Sequence, residues 1–585
     1  MTQGTCISPR HSVSRKGFLS LLAGGCLLAA GCSGGNTPTP VTPQIAGTAG
    51  AEESLGERLF LETRFAQAFK TFVENGGDPN NAAAGDPGMD TLETLSSGAP
   101  LDGPFRGQSM NCRACHLVDD TVASPGGGMR SYADFARRSP VPARTDAKTH
   151  APRNSPPLVN ASLDRPDGPL FHHDAEFNSM EDLVAATFTG RNLGWVPGER
   201  EQAIAHIARI VRADDGKGDL AKQFDGLPYR TLFTGNHADI PDEFRLPPEF
   251  RAFVGSASDQ EIFTAVVKVV SAYVKGLVFM KNDDNNVPIR SPYDVFVERN
   301  GLPAQPDANE TALDYSRRLR QTIAARQAAG TLQFVTSNPN RPDGAFQFHT
   351  QPFVFDATAL DGLKIFLAEP TTVPPSGPEL AAGRIGNCIA CHQAPHFTDF
   401  KLHNTGTTQK EYDAIHGAGQ FATLSIPSLA ARNAAPNQYL PASEEHPAAL
   451  EPFRAIPVAG NPTLTDLGVW NVFANPDMPA PQAKIRALLC DGASPCATPD
   501  ATLLDRAVAR FKTPGLRDLN HSEPFMHNGQ FNTVEDVMTF YRDISTQARA
   551  GTVRNAAPEL RGIALQTVDI PALTAFLKAL NEDYQ

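Results

Sequence analysis

No long basic run occurs in the sequence. Its 51 Lys and Arg are outnumbered by 64 Asp and Glu, for a formal net charge of −13. A surface of that sign repels a phosphate backbone, which excludes a nucleic-acid partner. Long apolar stretches are missing too: outside the extreme N-terminus there is no run long enough to cross a bilayer, which excludes a polytopic membrane protein. Cysteine is scarce, nine in 585 residues, and tryptophan scarcer, two. What is present is globular composition, 41% hydrophobic and 20% charged, in a chain long enough for two or more domains and a sizeable core. Pro 49 and Gly 47 exceed the usual share and predict long irregular connections.

The N-terminus carries Ser14-Arg15-Lys16, an apolar stretch from Phe18 to Ala30, and small residues up to Cys32. This pattern reads as a bacterial lipoprotein signal over 1–31, with acylation of Cys32 and a membrane-anchored product facing the periplasm. A plain cleaved secretory peptide is the alternative. A twin-arginine signal fits less well, because Lys16 stands where the second arginine belongs. Residues 32–53, with Thr-Pro repeats and no periodic apolar face, read as a flexible tether.

The cysteines then divide without remainder. Cys6 and Cys26 leave with the signal and Cys32 takes lipid. Cys490 and Cys496, six apart in an oxidising compartment, are expected to form a disulfide. The other four make two C-x-x-C-H motifs, Cys112-Arg-Ala-Cys115-His116 and Cys388-Ile-Ala-Cys391-His392. This is the c-type haem attachment sequence: the two cysteines can each bond a haem vinyl group, and the histidine beside them can ligate the iron. A redox dithiol or a zinc site is the competing reading. Export favours haem, since c-type attachment takes place outside the cytoplasm.

The surroundings of the two motifs repeat. Phe171-His-His-Asp-Ala-Glu-Phe-Asn-Ser-Met-Glu-Asp-Leu183 matches Phe525-Met-His-Asn-Gly-Gln-Phe-Asn-Thr-Val-Glu-Asp-Val537, and Gly56-Glu-Arg-Leu-Phe-Leu61 matches Gly362-Leu-Lys-Ile-Phe-Leu367. Two homologous domains are implied, 54–355 and 356–585, each running helix, C-x-x-C-H, long loop, turn, helix. Two stretches interrupt the pattern. Residues 76–107 read as a surface excursion. Residues 196–355 mix helices with loops, the clearest helix being 259–279 with Ile262, Val266, Val269, Val270 and Tyr273 on one face.

Together with Arg153-Asn-Ser-Pro, Phe511-Lys-Thr-Pro-Gly-Leu-Arg517 and Pro524-Phe-Met-His-Asn-Gly529, the motifs resemble the bacterial di-haem cytochrome c peroxidase and MauG superfamily over residues 54 to 300 and 356 to 585. The resemblance implies a mainly α fold of two c-type cytochrome-like domains with long loops and little β. It implies two covalently bound haems, peroxide-reactive in the first domain and electron-transferring in the second, with a calcium ion between them. His116 and His392 become the proximal ligands. The second ligand of the second haem falls fourteen residues after His527, on Tyr541, where peroxidases of the family have methionine and MauG-like members tyrosine. Met538, one turn earlier, is the alternative, and packing alone is the plain reading of Tyr541. The equivalent after His173 is Thr187, a poor iron ligand, which leaves the first haem an open site. His150 reads as a solvated loop histidine or a displaceable ligand.

Between the haems the family commonly has Trp-Asp-Gly, where this chain has His173-Asp174-Ala175, and its two tryptophans, Trp195 and Trp470, lie elsewhere. His172 and His173 can supply an acid/base group or a polar bridge instead, or be core histidines bonded to backbone. Arg191, Glu199 and Glu201 are the nearby candidates for assisting O–O cleavage, and none aligns cleanly. Calcium ligands map to the Asn154 side chain and the carbonyls of Ser522 and Pro524; an ordinary turn is the alternative. The implied activity is reduction of hydrogen peroxide to water with electrons from a small c-type cytochrome or cupredoxin. The alternatives are a MauG-like oxidation of a protein or organic substrate, and a non-catalytic electron carrier.

Overall fold

Several helices in this chain start where the sequence supplies a capping side chain. The computed structural model describes residues 50–80, 110–112, 115–116, 144–146, 148, 150–163, 165, 168–279, 290–347, 349–493 and 495–582. The signal segment, Cys32, nearly all of the tether and most of the excursion 76–107 lie outside the described residues. The helices that position the site are, in chain order, α1 (Ala51–Phe60), α2 (Met180–Phe188), α3 (Arg200–Ala213), α4 (Asp259–Gly276), α5 (Pro292–Arg299), α6 (Ala357–Phe366), α7 (Val534–Ala550) and α8 (Ile570–Lys578). Ser179 caps α2 by accepting from the Asp182 amide, and Thr533 caps α7 by accepting from the Asp536 amide. Ser258 with Glu261 and Ser291 with Asp294 form capping boxes at α4 and α5. The fold is mainly α, with long connections. Among the described residues the one ladder of more than a single bridge is the antiparallel pair β1 (Leu402–His403) and β2 (Phe511–Lys512).

The two repeated helices cross their partners in the same way. Gly56 of α1 meets α4, where a Cβ would stand 2.1 Å from the Val269 carbonyl oxygen. Gly362 of α6 meets α8, where a Cβ would stand 1.9 Å from the Ala572 carbonyl oxygen. Only glycine allows either approach. The turns ahead of α2 and α7 also match, closed by the bridges Phe171 to Phe177 and Phe525 to Phe531.

Three apolar clusters hold these elements. One packs α1, α2, α3 and α4 through Leu59, Phe188, Ile207 and Val266. A second gathers Phe296, Phe366, Phe540 and Phe576 from α5, α6, α7 and α8, and takes in residues of 293–355. The third, around Tyr412, Phe453, Trp470 and Leu503, is built from 402–509 together with Leu170 and Ala175. Full burial of one such side chain is worth about 1.5–3 kcal/mol, so packing rather than helix propensity holds the elements in place. Cys490 and Cys496 are joined in a disulfide at the edge of the third cluster.

Candidate di-haem site

Both C-x-x-C-H motifs fold as the same tight turn. In the first, the amides of Cys115 and His116 donate to the Cys112 carbonyl at 3.1 and 2.9 Å; in the second, those of Cys391 and His392 donate to the Cys388 carbonyl at 3.1 and 2.7 Å. The turn brings each cysteine pair and its histidine together, in one 3-10 turn at Cys388–Ala390. None of the four cysteines is in a disulfide. Burial pushes the Cys112 and Cys388 thiols up to about 12, so both are uncharged in this apolar setting. Gly386 supplies room beside the second pair, since a Cβ there would stand 2.9 Å from the Cys388 sulfur.

A single cavity of about 400 Å³ is lined by both His116 and His392. His392 donates from Nδ1 to the Phe397 carbonyl at 2.8 Å, which leaves Nε2 as the unprotonated nitrogen. His116 is buried beside the Pro156 carbonyl, and burial with the neighbouring His172 holds it down to about 4; its Nδ1 has no partner of full hydrogen-bond geometry. Neutral imidazoles, paired thiols outside any disulfide and largely apolar walls are the donor set and surroundings that a c-type haem requires, so the residues fit the group.

Tyr541 and Met538, on successive turns of α7, both line this cavity together with Cys388, Cys391 and His392. Burial, then the nearby Cys391 and Cys388 sulfurs, raise the Tyr541 phenol above its ordinary value. Thr187, at the matching position of α2, is not among the lining residues; its hydroxyl donates to the Leu183 carbonyl at 2.9 Å within its own helix.

Where the two halves of the sequence meet, the contacts are short and polar. His173 Nε2 lies 3.0 Å from the Asn154 carbonyl oxygen, and the Asn154 amide donates to the His527 carbonyl at 2.7 Å. Burial, and the Arg153 charge, hold His173 down to about 4. The His527 ring stacks on Phe511, centroids 3.6 Å apart, and the Arg153 guanidinium lies 5.6 Å from the Phe511 centroid. Lys512 donates from its amide to the His173 carbonyl at 2.7 Å and from Nζ to the Leu170 carbonyl at 2.6 Å; burial and Arg165 bring its ammonium down to about 7. Trp195 and Trp470 do not line the cavity; they sit in the first and third apolar clusters.

Of the remaining candidates, His172 lines the cavity and His150, Arg191 and Glu199 do not. His150 is exposed. Arg191, at the start of a 3-10 turn, is absent from the cavity lining, and burial beside Arg454 lowers it to about 10. His172 bonds Glu176 at 2.9 Å. Glu199 accepts from the Val196 amide at 3.0 Å.

Asn154 meets Pro524 through a hydrogen bond: its side-chain nitrogen donates to the Pro524 carbonyl oxygen at 2.5 Å, while its Oδ1 is buried without a partner. A flip of the amide would exchange nitrogen and oxygen and set Oδ1 beside the Pro524 carbonyl, next to a cavity that Ser522 also lines. Converging oxygens of this kind suit a hard cation.

Sequence reasoning singled out the segment carrying Phe511, Lys512 and Arg517 without assigning these residues roles. His403, whose Nε2 lies 2.7 Å from Asp399 and which lines the cavity from β1, was missed altogether. A strand of two residues leaves no periodic signal that could have found it.

No protein-family model matches the chain. The cytochrome-c peroxidase IdrP2 of Pseudomonas sp. (strain SCT) is 27% identical over 207 residues, which is 35% of this chain and 39% of that protein. The cytochrome-c peroxidase IdrP1 of Denitromonas iodatirespirans is 32% identical over 74 residues, 13% of this chain and 18% of that protein. The chain thus spans well under half the length of these relatives. Among solved structures, the diheme peroxidase BthA from Burkholderia thailandensis E264 aligns over 91% of this chain and 86% of its own, at 16% identity and a TM-score of 0.37. A MauG-like protein associated with microbial copper homeostasis aligns over 91% and 89%, at 14% identity and a TM-score of 0.36. By sequence, segments of this chain are similar to parts of proteins named cytochrome-c peroxidase.

Proposed function

We propose that this chain is an exported di-haem c oxidoreductase that reduces hydrogen peroxide to water with electrons from a small c-type cytochrome or cupredoxin. One observation carries the reading: two C-x-x-C-H turns open onto one cavity, and the helix that offers Tyr541 on one side offers only a backbone-bonded Thr187 on the other. Cys112 and Cys115, and Cys388 and Cys391, would hold the two haems, with His116 and His392 as proximal ligands and Tyr541 as the second ligand at His392. When bound, haem iron supplies an open position for peroxide at the first site and a one-electron store at the second.

The chain's own residues do the rest. Phe397 orients His392, and Pro156 stands against His116. His173, Asn154, His527 and Phe511 form a bonded and stacked bridge between the halves, where a tryptophan is missing. Asn154, Ser522 and Pro524 would take a calcium ion that pins this bridge. The whole reaction consumes two electrons and two protons per peroxide and yields two waters. The donor would dock briefly near the second haem. Export and acylation of Cys32 belong to the same proposal, and periplasm-facing attachment to a membrane follows from them. Cys32→Ser is expected to release the protein into the soluble exported fraction; unchanged membrane association would refute the anchor.

The test is a spectrum of the as-isolated and half-reduced protein combined with product analysis. A high-spin first haem and loss of peroxide with reduced donor are expected, whereas two six-coordinate irons inert to peroxide would leave a plain electron carrier. Tyr541 favours a second reading, MauG-like oxidation of a protein or organic substrate, which product analysis separates from the first.

A further inference from the structure

A buried acidic cluster adjoins the cavity of the second site through Arg517 and Asp518. Glu582 is fully buried, and its Oε1 accepts from Arg517 Nη1 at 2.5 Å while its Oε2 has no partner. Arg517 also grips Asp294 of α5 with two bonds of 2.9 Å. Asp518 approaches from the other side: its Oδ1 accepts from the Glu582 amide at 3.3 Å and lies 3.0 Å from His349 Nε2, which also bonds the Glu582 carbonyl oxygen at 2.8 Å. Tyr293 and Tyr315 flank the Arg517 and Asp294 pair, their phenols raised by burial and so protonated. Three carboxyl groups thus gather around one arginine and one histidine, all of them buried. Burial, with Asp294 and Asp518 close by, outweighs Arg517 and pushes Glu582 up to about 8.

The cluster is wired to His392. Arg517 and Asp518 line the same cavity as His392. The third guanidinium nitrogen, Nε, donates to the Pro395 carbonyl at 3.1 Å, and the guanidinium lies 5.7 Å from the Phe397 ring. Phe397 is the residue whose carbonyl fixes the His392 imidazole. A charge appearing on Glu582 therefore acts on the second site through the arginine that braces the ligand's own hydrogen-bond acceptor.

We propose that Glu582 is a redox-linked proton site of the second haem, protonated when that haem is reduced and deprotonated when it is oxidised. The inference rests on the reading of His392 as a haem ligand. The step balances: one electron enters from a one-electron carrier, one proton enters from solvent and forms the Glu582 O–H bond, and the net charge of the site is unchanged. Oxidation reverses both. Such coupling lets the second haem store its electron without stranding a charge beside three buried carboxyl groups.

The experiment uses the holoprotein. Haems per chain are counted first; a wild-type chain without the second haem overturns the ligand reading and this proposal with it. With both haems present, the midpoint potential of the second is followed spectroscopically from pH 6 to 10. It is expected to fall as pH rises, and a tenfold difference in the proton affinity of Glu582 between redox states appears as a total fall of about 59 mV. Glu582→Gln, which keeps the shape but cannot titrate, is expected to lose that fall. The same fall in the variant, or a flat wild-type profile, overturns the proposal and leaves the ligand reading standing. Should the variant lose its second haem, the infrared difference spectrum of the wild type decides: a protonated-carboxyl band gained on reduction supports the proposal, and its absence overturns it.

Discussion

Tyr541 and Thr187 stand at matching places of two similar helices and are treated oppositely by their surroundings. Thr187 spends its hydroxyl on the Leu183 carbonyl, whereas Tyr541 turns its ring into the cavity beside Cys388 and Cys391. A phenolate ligand favours ferric iron relative to methionine sulfur, so Tyr541→Phe is expected to leave both haems attached and to change the spectrum of one alone. An unchanged spectrum would make Met538 or another residue the ligand. Replacing Cys388 and Cys391 with Ala is expected to lower the covalent haem count of denatured protein from two per chain to one. The two C-x-x-C-H turns were legible because their residues are sequence neighbours, five written in a row. The partners of Asn154 and Arg517 were not: Asn154 meets Pro524 and Arg517 meets Asp294 across separations of 370 and 223 residues, and no local spacing encodes such a meeting.

At the scale of elements, the glycines of the repeat have a packing reason. Ala is ordinarily the better helix former by about 1 kcal/mol. Yet Gly362→Ala would drive a methyl into the Ala572 carbonyl, and Gly56→Ala one into the Val269 carbonyl. Each is therefore expected to destabilise the protein by about 1–3 kcal/mol, read as a lower melting temperature with helix content retained; a gain in stability would mean that the helices can separate at no cost. The repeated segments that carry Gly56 and Gly362, and Ser179 and Thr533, and the α4 face were visible as patterns, and α4 ends only three residues before the expected position, at Gly276. The third apolar cluster was not visible. Its side chains come from short helices and loops of 402–509 with no sustained period, and Leu170 and Ala175 join it from the other half of the sequence.

For the whole molecule, buried charge sets the response to acid. Burial alone would raise Glu62, but Arg64, bonded to it at 2.7 and 2.6 Å, outweighs that and holds it down to about 2. Burial keeps His206 neutral, down to about 4, against the Arg64 carbonyl. Both groups bind protons more readily when unfolded. The His206 contribution is thus lost as pH falls from about 6.5 to 4 and the Glu62 contribution from about 4.5 to 2, each on the order of 3 kcal/mol. Melting temperatures measured from pH 7 to 3 are expected to fall in that order, and a flat profile would contradict the assignment. Farther along, Arg153 bonds Asp174 and Asp466, and Arg454 bonds Asp174 and Glu176, so that 153–176 and 454–466 are tied by fully shielded ions next to His173. The central claim is that the open first site works only with the second. It is tested most directly by peroxide-dependent oxidation of a reduced small c-type cytochrome, comparing the wild type with His392→Ala. Rapid turnover in the wild type and its loss in the variant, with peroxide still binding at the first haem, is the predicted result; turnover that survives in His392→Ala would contradict it.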